Sequence, residues 1–171
     1  IDERIVSLSG KIHPRLLFIG FTIRSNHTFG YMKKHYMELG AQCEHLCYNE
    51  FDNAKTVEGK FKRADIIYLG GGNTISFMQK LKTFGLDKKI LEAVDQNKVI
   101  VGRSAGAIII SQAGSSDSRI YKDSKKYTYV RGLGILNIFL APHYMDSDRP
   151  ADMMRMLSKN RKLIAVGLDS A

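Results

Sequence analysis

Short runs of β-branched and aliphatic residues recur along the chain, with longer segments of helical periodicity between them. The runs are Leu16-Leu17-Phe18-Ile19, Cys43 to Tyr48, Ile66-Ile67-Tyr68-Leu69, Val99-Ile100-Val101 and Leu163-Ile164-Ala165-Val166. Strands joined by helices in this way are the signature of parallel pairing through crossover connections. Between the first two runs, Phe29, Met32, Tyr36 and Leu39 fall at helical spacing and Gly40 ends the pattern, which predicts one βαβ unit. After the third run, Thr74 to Leu81 and Leu86 to Val94 read as helices split at Gly85. Ser104 to Ser111 reads as a helix continuing from the fourth run. The alternation predicts an α/β fold, a three-layer sandwich with a mostly parallel central sheet.

Residues Gly114 to Val130 break the rhythm with Ser115-Ser116, Ser118, Ser124 and three lysines, and a polar excursion or short hairpin is expected there. The chain opens on an amphipathic segment, Ile1 to Leu8, and closes on an apolar strand followed by Asp169-Ser170-Ala171. At 171 residues a single domain over 1–171 is expected, with edge elements absent at both ends.

Composition narrows the class only a little. Hydrophobic content of 44% and charged content of 25% are those of an ordinary globular protein. No stretch approaches the ~18 apolar residues of a membrane span, and the first residues do not read as a secretory leader, so a cytoplasmic protein is expected. The net charge of +9 raises nucleic acid or an acidic ligand as partners. The lysines are scattered, however, and no helix carries a basic stripe interleaved with aromatics, so a solvated surface is favoured and no nucleic-acid or membrane partner is expected. Cys43 and Cys47 lie about 13 Å apart along an extended segment, beyond disulfide reach. Buried free thiols fit better than a bridge, and with His45 between them at strand spacing the three are too far apart for one tetrahedral ion. No metal and no cofactor are expected.

The chemistry concentrates around Val99 to Ile110. A buried-strand pattern runs into Gly102-Arg103-Ser104-Ala105-Gly106 and then an apolar helix start, which is the strand and helix context of a nucleophile elbow. Flanking glycines remove Cβ atoms where the chain reverses, and the serine is left at the apex. The amide of Ala105 is then a natural oxyanion donor. A glycine-cushioned turn without chemistry is the bland alternative.

A second cluster, Gly70-Gly71-Gly72-Asn73-Thr74, also stands between a strand and a helix, where backbone amides can approach a phosphate or an oxyanion. It lacks the lysine of a phosphate loop and the spacing of a dinucleotide fingerprint. The other half of an oxyanion hole is favoured, with Asn73 as a candidate substrate ligand. A serine nucleophile also needs a base. Of His13, His27, His35, His45 and His143, only His143 follows an apolar run, Ile138-Phe139-Leu140-Ala141, at what reads as a strand's carboxyl end.

Gly70 to Thr74, Gly102 to Ala107 and Ala141-Pro142-His143-Tyr144 together resemble, in order and rough spacing, the peptidase E and cyanophycinase family of serine peptidases. The resemblance runs the length of the chain. It implies a class I glutamine amidotransferase-like fold with serine in place of that superfamily's cysteine, and an α-aspartyl dipeptidase or related activity. It carries over Ser104 as nucleophile, His143 as base, and the Gly72 and Ala105 amides as oxyanion donors. The family pattern for the acid is close to Gly-Ile-Asp-Glu. Here the segment is Gly167-Leu168-Asp169-Ser170, with Ser170 where the usual glutamate stands and Asp169 one position early. Asp169 is expected to orient His143, against a Ser-His dyad with no acid.

For a substrate carboxylate, Arg149 just before Pro150 is the candidate fork, with Arg103 its rival and a helix-start surface role the alternative. Two other functions compete. An esterase-like α/β hydrolase would order its residues Ser, acid, His and would need Asp117 or Asp123 as the acid. A degenerate binding module of the same fold would have no working serine.

Overall fold

The structure, a computed structural model, describes residues 1–21, 25–116, 127–145, 148–158 and 164–169. The chain falls into two compact units, Ile1–Gly70 with Lys80–Val101, and Gly71–Gln79 with Gly102–Ala171.

The first unit is built on a sheet of order β2-β1-β3-β4, with β1 (Arg15–Ile19), β2 (Gln42–Leu46), β3 (Ile66–Leu69) and β4 (Val99–Gly102). Strand β1 pairs parallel to β2 and to β3, with Leu16 opposite Cys43 on one side and Ile66 on the other. Alternate residues of β1 and β3 face opposite sides of the sheet, and both sets are buried. Leu16, Phe18, Ile66 and Tyr68 share a core with Met32 and Tyr36, while Leu17, Ile19, Ile67 and Leu69 are at most 1% exposed. Two buried faces are what a parallel sheet requires and what gives its strands their unbroken apolar runs. The helices are α1 (Asp2–Leu8), α2 (Ser25–Glu38), α3 (Ala54–Arg63), α4 (Thr74–Thr83, which begins in the second unit) and α5 (Leu86–Asp95). Gly40 and Gly85, at φ 88 and 67, end α2 and separate α4 from α5.

Helix α3 is an element the sequence pattern does not predict: its sequence reads as basic surface, yet Asn53 caps it through its side-chain oxygen on the Thr56 amide, and Val57 and Phe61 are buried. Two of its four cations are answered locally, Lys60 by Glu50 and Arg63 by Glu44.

The second unit holds a sheet of order β6-β5-β7-β8, with β5 (Ser111–Ser116), β6 (Thr128–Arg131), β7 (Leu136–Pro142) and β8 (Ile164–Leu168). Strand β7 is parallel to β5 and β8, and β6 is antiparallel to β5. Successive residues of β7 serve two cores. Leu140 packs with Ala107 and Ile108 of α6 (Ala105–Ile110), and Phe139 and Ala141 pack with Met153 and Met156 of α7 (Arg149–Leu157).

The helix expected over Ser104 to Ser111 stops at Ile110, and Ser111 to Ser116, read as the end of that helix and the start of an excursion, form a buried strand. The reason is close approach. A Cβ on Gly114 would lie 2.5 Å from the Leu140 oxygen and 2.9 Å from both Ile108 branches, so position 114 has no room for a side chain, and the fully buried positions of β5 are all small. Its hydroxyls are satisfied internally, Ser111 Oγ donating to the Ala107 carbonyl at 2.8 Å and Ser116 Oγ to Thr74 Oγ1 at 2.9 Å. Residues 117–126, with Asp117, Ser118, Asp123 and Ser124, lie outside the described residues, as do Leu163 and Ser170. The strands are mostly parallel and alternate with helices, so the α/β class holds. Among the described residues no helix is long and apolar enough to cross a membrane.

Candidate active site

The turn after β4 is shaped by what the glycines leave out. A Cβ on Gly102 would meet the Gly106 carbonyl oxygen at 2.4 Å and the Ala107 nitrogen at 2.6 Å, because α6 folds straight back over the strand end. Ser104 sits at the apex with φ 52 and ψ −108, in a region that costs a side-chain-bearing residue of order 1–3 kcal/mol. Its carbonyl receives the Ala107 and Ile108 amides at 3.0 and 3.2 Å. Its hydroxyl makes no cap bond to α6. That leaves Oγ for His143, whose Nε2 lies 3.0 Å away. With the proton on Nδ1, Nε2 can accept from the serine.

His143 is a second residue held at positive φ, 56°, immediately after β7. Strands β7 and β8 pair through Pro142 and Leu168, and the Tyr144 amide donates to the Leu168 carbonyl at 3.0 Å. The residues following that last pair are His143 and Asp169. Asp169 is exposed.

Around the serine, Ala105 is buried, and as the first residue of α6 its amide has no acceptor within the helix. Gly71 backs directly onto the elbow: a Cβ there would lie 3.6 Å from Ser104 Cβ. Gly72 follows with φ 129 and is exposed. A run of three glycines does not reveal which one touches the serine, and so Gly71 went unnoticed in the sequence. Thr74, reached by Ser116, anchors the end of this loop; a buried serine in a serine-rich stretch gave no signal either.

The two residues expected to hold substrate have other work. The Asn73 side-chain oxygen accepts the Ser76 amide at 2.9 Å and caps α4. Arg149 is fully buried, donates Nη1 to the Ser115 carbonyl at 2.7 Å and lies 4.0 Å from the Tyr127 ring centroid. Its rival Arg103, beside the serine, is exposed.

In the first unit, His45 Nδ1 lies 3.1 Å from Cys47 Sγ. Burial lowers the His45 pKa, with Lys60 adding to it, while burial and Glu50 raise the Cys47 pKa, so this pair is held neutral rather than as a thiolate and an imidazolium. Both cysteines are free thiols and half-buried. Among the described residues no group of three or more His, Cys, Asp or Glu is placed to hold a metal.

An α/β fold with a serine on a strained strand-to-helix turn, and a histidine on its hydroxyl, defines the class: a nucleophile-elbow protein. The family model of peptidase family S51 matches residues 1–170, and the chain belongs to that family. It is 30% identical over 147 residues to the uncharacterized peptidase YgaJ of Bacillus subtilis strain 168, covering 84% of this chain and 60% of that one. It is 36% identical over 92 residues to the uncharacterized peptidase Lin0382 of Listeria innocua, covering 52% and 43%. Over 89 residues it is 37% identical to a peptidase E of Shewanella amazonensis, covering 51% and 36%. The chain thus aligns with roughly half the length of these curated relatives. Its fold is that of the crystal structure of a putative peptidase E from Listeria monocytogenes, with a TM-score of 0.69 at 23% identity over 98% of this chain and 84% of that one.

Proposed function

We propose that the chain is a serine hydrolase of short peptides, in which Ser104 Oγ attacks the scissile carbonyl and His143 Nε2 takes its proton. The observation that carries this reading is the 3.0 Å contact between those two atoms, made by a serine whose hydroxyl has no structural duty in its own helix. His143 then gives the proton to the leaving amine, and a water repeats the sequence to release the acyl group. The Ala105 and Gly72 amides receive the oxyanion, with Gly71 keeping the loop within reach of the serine. Asp169 holds the imidazole from its Nδ1 side. Dipeptides with an N-terminal Asp are the first substrates to try, by the family's example. Their carboxylates would find Arg103 exposed beside the nucleophile, whereas Arg149 is engaged in the interior.

A fluorophosphonate probe, followed by mass spectrometry of the Ser104 peptide, tests the nucleophile. A hydrolysis screen of dipeptides beginning with Asp, Asn, Glu, Leu or Ala, run beside simple esters, tests the substrate. We expect labelling at Ser104 and turnover led by the Asp peptides. No labelling would return the site to a degenerate binding module, and turnover of esters alone would favour the esterase reading.

A further inference from the structure

Two residues beside the site take no part in the chemistry above, yet their packing leaves no freedom. Gly167 of β8 lies under the ring of Tyr144. A Cβ at position 167 would stand 2.5 Å from Tyr144 Cγ, 2.6 Å from Cδ2 and 3.0 Å from Cδ1. These atoms are the root of the ring, so turning it about its own axis cannot clear the clash. Only a change of rotamer or a shift of the Tyr144 backbone can. That backbone is itself pinned, since the Tyr144 amide donates to the Leu168 carbonyl at 3.0 Å, and the half-buried ring packs into the core of Ala113, Phe139, Ala141, Met153 and Met156.

His143 therefore stands between two fixed points. Pro142 before it is in register with Leu168, and Tyr144 after it is held on Gly167 and Leu168. A left-handed φ on a histidine persists only when its surroundings impose it, and these attachments do so. We infer that Tyr144, seated on Gly167, is a positioning residue that sets the backbone of His143 and so aims Nε2 at Ser104. This inference rests on the serine and histidine roles proposed above. Loss of the seat displaces the base rather than the substrate, so it lowers kcat and leaves KM near its original value. A displacement of about 1 Å at a reacting group can cost on the order of 100-fold.

The test uses Gly167→Ala, Tyr144→Ala and the double variant of the full chain, with folding followed by circular dichroism, kcat and KM on the best dipeptide, and the rate of fluorophosphonate labelling. Gly167→Ala should lose about 100-fold in kcat and in labelling rate, with KM within about threefold. Tyr144→Ala should lose about tenfold, with KM equally steady. The double variant should match Tyr144→Ala, because without the ring the added methyl has nothing to strike. Should Gly167→Ala fail to fold, the single Tyr144→Ala and the double variant still decide the matter. Wild-type kcat and labelling in Tyr144→Ala, or losses that multiply in the double variant, would overturn the proposal. If the wild-type protein itself is not labelled at Ser104, the serine and histidine reading fails and takes this one with it. A labelled wild type with unaffected variants removes the positioning role alone.

Discussion

The strands of the first unit bury Leu16, Ile19, Ile66 and Leu69, whereas β5 of the second buries Ser111, Ala113, Gly114, Ser115 and Ser116 just as completely. Large side chains stabilise the first sheet through the apolar area they remove from water, about 25 cal/mol per Å². Small ones in β5 remove little area but let α6 and β7 come close, and α6 is the helix that starts at the serine turn. Backbone strain is divided in the same way. The described non-glycine residues at positive φ are Asn97, Ser104 and His143. Asn97 follows α5, a helix-terminating position where asparagine adopts this conformation at low cost. Ser104 and His143 have no such excuse. The first unit's strands are built for stability, whereas the second unit carries backbone strain at the two residues whose Oγ and Nε2 it holds 3.0 Å apart.

The largest expected effect breaks the second unit's function without touching its fold. Ser104→Ala should lower kcat by about 10⁴-fold or more. Ser104→Gly should be equally inactive, yet more stable than Ser104→Ala by about 1 kcal/mol in a urea titration, because glycine adopts the apex conformation without a Cβ penalty. Equal stability of the two variants would mean that the turn stores no strain.

Next come two core substitutions that separate area from closeness. Ile66→Ala leaves a cavity in the first unit and should cost about 2–5 kcal/mol, with kcat of the folded protein unchanged. Gly114→Ala adds one carbon where Leu140 and Ile108 leave no room, and should cost about 1–3 kcal/mol. It should also lower kcat, since α6 must move to accommodate the methyl. Thermal melts beside activity at a permissive temperature check both, and a Gly114→Ala enzyme with normal kcat would detach β5 from the site.

The same contrast explains what could be read before the structure. Strands made of large aliphatic residues announced themselves, and β1, β3 and β4 fall where the apolar runs do. So did the elbow, because Gly102, Ser104 and Gly106 are residue types whose spacing states a backbone requirement. Strand β5 was illegible because its residues were chosen for a neighbour's proximity, which hydropathy does not record. Helix α3 was obscured for the opposite reason, since its basic residues and single Gly59 hid the two apolar positions that bury it. At the site, the contact between Ser104 and His143 joins two residues that their types and settings single out in the sequence. Gly71, Gly167 and Tyr144 are not singled out, because their roles lie in atoms that are missing or in a ring's seat on another strand. In the sequence Arg149 reads as a fork for a substrate carboxylate, or else as a helix-start arginine at the surface. Its burial against Ser115 and Tyr127 depends on contacts distant in sequence.

The smallest expected effect asks whether Asn73 belongs to the fold or to the site. The protein supplies its own control. Asn53 and Asn73 cap α3 and α4 by the same device, a side-chain oxygen accepting the amide three residues on, at 3.0 and 2.9 Å. Loss of such a cap typically costs about 1 kcal/mol, so Asn53→Ala and Asn73→Ala should lower stability alike. Asn53 lies in the first unit, and its loss should leave KM and kcat alone. Asn73 follows Gly72 directly, and its side-chain nitrogen remains available when the oxygen is capping. If Asn73 is only a cap, then Asn73→Asp, which keeps the capping oxygen and favours the helix N-terminus electrostatically, should restore both stability and kinetics. If its nitrogen also donates to substrate, Asn73→Asp should restore stability but leave KM raised by about fivefold to tenfold, the loss of one hydrogen bond. Steady-state kinetics on the two aspartate variants and the two alanine variants separates these outcomes. We expect the cap alone, because an N-cap oxygen engaged at 2.9 Å fixes the amide plane before any substrate arrives.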